Sequence, residues 1–175
     1  MISLSQAAKN YASERHTATN HTYDDKPYAF HLQMVAEAAD SFSQSYDPAT
    51  REVIIAAAWC HDVIEDARET YNDVKKVLGE EVAEIVYALT NDKGRTRTER
   101  AGEKYYAGIR QTPYATLVKL CDRIANVRHS RQTAGRMLAI YQKEYPLFRS
   151  KLYVAGEFEE AWQALENLLQ GNVRQ

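Results

Sequence analysis

Apolar positions along this chain recur at spacings of three and four. Leu32, Val35, Ala36 and Ala39 repeat in this way, as do Val82, Ile85, Val86 and Leu89. The tail continues it with Leu138, Tyr141, Phe148, Leu152, Phe158, Trp162, Leu165 and Leu168. Such spacing lays an apolar stripe along one face of a helix. No long stretch alternates apolar with polar residues, and glycine (7) and proline (4) are scarce. The expected fold is all-α, a single-domain helical bundle spanning 1–175.

Boundary signals divide the chain further. A first helix is expected from Ser3 to about Ala18, then a polar loop from Thr19 to Lys26. Pro27 suits the first turn of a second helix running from Tyr28 to about Gln44. Asp47-Pro48-Ala49-Thr50 opens a central helix reaching about Asp66. Thr70 to Leu78 is a short helix that Gly79 ends. The Val82–Leu89 helix leads into a loop, Asn91-Asp92-Lys93-Gly94-Arg95, and a helix from Thr98 to Gln111. Thr112-Pro113 opens another to about Arg131. One or two amphipathic helices in the tail are expected to complete the bundle rather than carry chemistry.

The pattern is broken most sharply after Val53-Ile54-Ile55-Ala56-Ala57-Ala58-Trp59-Cys60, where the chain continues His61-Asp62-Val63-Ile64-Glu65-Asp66. An apolar run belongs in a core, and buried carboxylates are costly unless paired, hydrogen-bonded or metal-bound. On a continuous helix, His61, Glu65, Asp62 and Asp66 fall at about 0°, 40°, 100° and 140°, all on one side. Asp122 and Asn126, one turn apart, interrupt a second apolar segment. A metal site is the simplest explanation. His61 and Asp62 can share an ion lying between their directions, Asp122 is the best further carboxylate, and another histidine must join them. His31 lies beside Leu32 in an amphipathic stretch. His16 and His21 flank polar loop sequence, and His129 sits among Arg128, Ser130 and Arg131. These three read as structural or surface residues.

Composition narrows the function. The 175 residues are 45% hydrophobic, enough for one cored domain, and a net charge of −2 implies no strong attraction to nucleic acid or an anionic membrane. No apolar stretch reaches the ~18 residues that span a bilayer. The start of the chain lacks the charged and apolar regions of a signal peptide. Cys60 and Cys121, each within apolar sequence, read as reduced, buried small residues. A cytoplasmic location is expected; no oligomeric state is assigned.

Four blocks resemble the HD-domain metal-dependent phosphohydrolases, especially the hydrolase domain of the Rel/SpoT alarmone enzymes and the Mesh1-type small alarmone hydrolases. They are Tyr23-Asp24-Asp25-Lys26-Pro27-Tyr28-Ala29-Phe30-His31-Leu32, the HDxxED motif at His61–Asp66, the helix Leu78–Thr90, and Lys119-Leu120-Cys121-Asp122-Arg123-Ile124-Ala125-Asn126-Val127-Arg128. The likeness covers about residues 5 to 135, with the C-terminal helices beyond it. It implies an HD-type bundle in which His31, His61, Asp62 and Asp122 hold one divalent ion, usually manganese, with iron, cobalt or zinc also suited to such donors. It implies Glu65 and Asp66 as the pair handling water and protons, and Lys119 and Asn126 as nucleotide contacts. Arg95, Arg97 and Arg100 are further candidates for phosphate. The implied reaction is release of pyrophosphate from the 3′ position of ppGpp, a small-molecule nucleotide. The alternatives are another nucleotide or phosphoester as substrate, or a non-catalytic nucleotide sensor. Two positions depart from the pattern: Thr22 stands where a basic residue is common, and Asp24 replaces a glycine. No synthetase domain is expected within these 175 residues.

Overall fold

A computed structural model describes residues 2–91 and 93–171; Asp92, within the loop expected after Leu89, lies outside the described residues. Helix α1 (Leu4–Ala18) starts where the Ser3 hydroxyl accepts from the Gln6 N–H. The segment expected as loop folds into a small antiparallel hairpin, β1 (Thr22–Tyr23) and β2 (Lys26–Pro27), with Thr22 opposite Pro27 and Tyr23 opposite Lys26. Two-residue strands are too short to show alternation, so periodicity gives no sign of them. Pro27 therefore closes a strand rather than opening a helix, and α2 (Ala29–Phe42) follows Tyr28.

Helix α3 (Pro48–Cys60) is capped by Asp47, whose carboxylate accepts from the Ala49 and Thr50 N–H groups. Its last five residues, Ala56 to Cys60, are buried. The expected single helix to Asp66 is interrupted at His61–Asp62. Asp62 leaves helical geometry (φ −108°, ψ 1°) before a short helix, α4 (Val63–Asp66). Helix α5 (Tyr71–Leu78) carries a reciprocal Thr70–Asp73 cap and ends at Gly79, whose φ of +91° favours glycine. Helix α6 (Glu80–Leu89) follows directly.

The helix expected over Thr98–Gln111 is two helices, α7 (Arg97–Arg100) and α8 (Glu103–Gln111). A Thr96–Glu99 capping box starts α7 early, and extended Gly102 separates it from α8. Helix α9 (Ala115–Gln132) starts after Tyr114, which is left-handed at φ +63°. Helices α10 (Met137–Leu152) and α11 (Glu159–Gln170) complete the chain.

Helix α9 is the axis of the bundle. It packs against α2, α3, α6, α10 and α11, while α3 lies against α1, α2 and α6. Leu117, Leu120, Ile124 and Val127 of α9 join Leu32, Val35 and Ile54 in the core. Cys60 and Cys121 are free and buried, and burial pushes both thiols up. No helix among the described residues is long and apolar enough to cross a membrane.

Candidate metal centre and cleft

Polar side chains from α2, the α3–α4 junction and α9 converge inside this apolar frame. His31, His61 and Asp122 are buried and offer donor atoms within 4.8 Å of one another. His31 Nε2 lies 3.3 Å from both His61 Nε2 and Asp122 Oδ1. Asp62 closes the group, with Oδ2 2.9 Å from His61 Nε2 and 4.0 Å from His31 Nε2. The break after Cys60 matters here, because it turns Asp62 toward its neighbour's imidazole. His61 Nδ1 is 2.8 Å from the Ala58 carbonyl, which can only accept; Nδ1 carries the proton and Nε2 is left to face the cluster.

The electrostatics show what the cluster demands. Burial would lower the His61 pKa, but the carboxylates of Asp62 and Asp122 outweigh it and raise it to about 9. Burial likewise opposes ionisation of both aspartates, yet the neighbouring cations hold them below the usual carboxylate range. Two ionised carboxylates in a core need a cation, and two imidazoles with two carboxylates form a donor set suited to a divalent transition ion.

Neighbouring side chains fix the carboxylates. The Tyr28 hydroxyl donates to Asp62 Oδ2. Lys119 Nζ donates to Asp122 Oδ2 at 2.9 Å, and Asn126 Nδ2 donates to Asp122 Oδ1 at 2.6 Å and to its backbone carbonyl at 3.0 Å. The Asn126 carbonyl in turn accepts from Tyr23 of the hairpin at 2.8 Å. Tyr23 stacks on the His31 ring, centroids 4.7 Å apart. Both ends of the Asn126 amide are thus engaged within the protein.

A cleft of about 300 Å³ opens beside the cluster. Glu65 and Asp66 line it in different states. Asn91 holds the Glu65 carboxylate through its side-chain amide, 3.0 and 3.1 Å from the two oxygens, and through its backbone N–H at 3.3 Å. No hydrogen-bond donor among the described residues reaches the Asp66 carboxyl. Burial, then the charges of Asp62 and Glu65, push its pKa up to about 6. Arg97, Arg100 and Lys119 supply cations to the same cleft.

Comparison with known proteins accounts for this arrangement. The family model for the HD domain matches residues 8–147. The chain belongs to the HD-domain family. Membership implies a divalent metal ion, and the His–Asp cluster suits one. The chain is 32% identical over 120 residues to the zebrafish (Danio rerio) guanosine-3′,5′-bis(diphosphate) 3′-pyrophosphohydrolase MESH1, covering 68% of this chain and 64% of that protein. It is 30% identical over 126 residues to the Aquifex aeolicus guanosine-3′,5′-bis(diphosphate) 3′-pyrophosphohydrolase, covering 70% of this chain and 17% of that longer protein. The fold matches a solved structure described as a metazoan ortholog of SpoT that hydrolyses ppGpp. That match has a TM-score of 0.72 and 21% identity, over 98% of this chain and 97% of the other.

Within this HD domain, the residues singled out in sequence fall into three groups. His31, His61, Asp62 and Asp122 meet at one point. Glu65, Asp66, Arg97, Arg100, Lys119 and Asn126 line the cleft, and Arg95 does not. His16, His21 and His129 are not part of the donor set: His16 and His21 meet through their Nδ1 atoms at 2.9 Å, and His129 Nε2 lies 2.6 Å from Asp24 Oδ2. Residues that sequence reasoning passed over include Tyr28, Asn91, Arg123 and, from the tail, Tyr141 and Glu144. Helix α10 thus completes the bundle and also forms a wall of the cleft. Only the position of Asn91, just past the Thr90 cap of α6, could have drawn notice.

Proposed function

We propose that this HD domain, acting as one unit over 1–175, is a metal-dependent pyrophosphohydrolase that removes the 3′-diphosphate of guanosine-3′,5′-bis(diphosphate). The observation that carries the reading is the convergence of His31, His61, Asp62 and Asp122 beside a cleft holding both an acid pair and cations. The substrate comes from the named activity of the zebrafish and Aquifex relatives. The four residues would hold one divalent ion; their mixed nitrogen and oxygen donors suit manganese, iron, cobalt or zinc alike, and manganese is put first on the family resemblance. Bound there, the ion supplies Lewis acidity toward water and phosphate oxygen.

The chain's own residues do the rest. Glu65, held by Asn91, orients the attacking water and takes its proton. Attack on phosphorus forms one O–P bond and breaks the bond to the 3′ oxygen. Asp66, unpaired and raised to about 6, gives that leaving oxygen its proton. Lys119, Arg100 and Arg97 neutralise phosphate charge. Asn126, engaged with Asp122 and Tyr23, acts by orienting Asp122. The products are pyrophosphate and a nucleoside 5′-diphosphate. The setting is the cytoplasm, where the buried thiols stay reduced.

One observation favours a second reading, the same chemistry on another nucleotide: exposed Thr22 offers no cation where the alarmone pattern has one. The test of the metal assignment is Asp62→Ala. The folded variant is expected to lose both metal binding and turnover, and full activity in metal-stripped buffer would overturn the assignment.

A further inference from the structure

The tail helix carries a feature that the chemistry above leaves unused. Glu144 of α10 reaches into the cleft wall and holds two arginines from different parts of the chain. Arg97 of α7 meets it with a fork, Nε to Oε1 at 2.8 Å and Nη2 to Oε2 at 3.1 Å. Arg123 of α9, the residue after Asp122, donates from Nη1 to Oε2 at 2.8 Å. Both guanidiniums also lie over the Tyr141 ring, at 5.8 and 4.9 Å from its centroid, and Arg123 lies 4.7 Å from that of Phe148. Arg123 is largely enclosed, with 12% of its side chain exposed, whereas Arg97 is 48% exposed.

This arrangement does more than balance charge. Helix α7 is a single short turn in the basic segment from Lys93 to Arg100. Its own capping box fixes its start and Ala101 at its end packs against the core, while Arg97 ties its cleft-facing side to α10. A bidentate arginine–carboxylate pair sets direction as well as energy. Glu144 is itself anchored from behind by Arg123, which α9 holds beside the metal cluster. The chain Asp122–Arg123–Glu144–Arg97 thus sets the distance between the metal end of the cleft and its most exposed cation.

We propose that Glu144 is a positioning residue for substrate binding. It holds Arg97, and with it the α7 segment, where the guanidinium meets the charged end of an anionic substrate. The inference rests on the proposed hydrolase reading, because it needs a polyphosphate in the cleft. Arg97 keeps one Nη outside the Glu144 fork, and that nitrogen is the donor left for substrate. Glu144 does not touch the reacting atoms, so its loss acts on binding rather than on the chemical step.

The experiment compares wild type, Glu144→Gln, Glu144→Asp, Arg97→Met and the Glu144→Gln/Arg97→Met double variant, each with manganese. Steady-state kinetics on ppGpp is run beside calorimetric binding of inorganic pyrophosphate. The expected result for Glu144→Gln is a KM about tenfold higher with kcat within about twofold, and pyrophosphate binding weakened to match. Glu144→Asp keeps the charge and recovers part of the loss. The double variant has a KM no higher than Arg97→Met alone, since on this proposal Glu144 acts on the substrate only through Arg97. An unchanged KM, a fall in KM on freeing the arginines, or additive losses in the double variant would each overturn the proposal. If wild type fails to turn over ppGpp, the hydrolase reading fails, and pyrophosphate binding by the same five proteins still decides the role of Glu144. Should Glu144→Gln not fold, Glu144→Asp and the Arg97 variant carry the comparison.

Discussion

Asn91 holds the Glu65 carboxylate from two sides, with amide donors at 3.0 and 3.1 Å and a backbone N–H at 3.3 Å. Its neighbour Asp66 has no such clamp. Two adjacent carboxylates are thereby separated into a fixed acceptor and a free acid, which is the division of labour a hydrolase needs. Removing the clamp should blur it. Asn91→Ala is expected to lower kcat about tenfold with little change in KM, because on the proposed mechanism the clamp orients Glu65 without touching substrate. Steady-state kinetics checks this, and a change confined to KM would count against it.

The Tyr28 hydroxyl donates to Asp62 Oδ2 from a buried ring. Partners of this kind orient a metal-binding carboxylate, and their loss weakens metal affinity by about ten- to a hundredfold. Tyr28→Phe is therefore expected to bind manganese at least tenfold more weakly while staying folded, as read by calorimetric titration. Unchanged affinity would show that Asp62 needs no such support.

Acid stability has a defined contributor beside the cluster but outside its four donor residues. His16 is buried, stacked 4.5 Å from Tyr28, and burial lowers its pKa to about 4. The unfolded chain titrates near the ordinary value of 6.5. Between these values the unfolded state takes up the proton and the folded state does not. Stability is intact above pH 6.5 and falls as the pH drops toward 4, by on the order of 1 kcal/mol after allowing for solvent screening. Urea midpoints from pH 7.5 to 4.5 should show this decline, and His16→Gln should flatten part of it.

The fold was legible where pattern and chemistry agreed. Apolar spacing marks α2, α6 and the tail helices, Asp47-Pro48 marks a real helix start, and Gly79 a real helix end. The cluster was legible because carboxylates inside apolar runs demand a reason. What escaped detection depended on contacts between distant segments. The β1–β2 hairpin has no period of its own, and it is fastened by Tyr23 to Asn126, 103 positions away. The break at Ala101–Gly102 falls inside the Thr98–Gln111 run expected as one helix. Glu144 and Tyr141 looked like the polar and apolar faces of an ordinary amphipathic helix, because nothing local says that α10 lies against the cleft.

The account stands or falls on turnover. Purified protein with manganese should be given ppGpp, beside a panel of other nucleoside phosphates and beside Asp62→Ala. The expected result is manganese-dependent release of pyrophosphate from ppGpp, absent in Asp62→Ala. Phosphate release from another member of the panel, with ppGpp left intact, would contradict the proposed substrate and keep only the HD-domain chemistry.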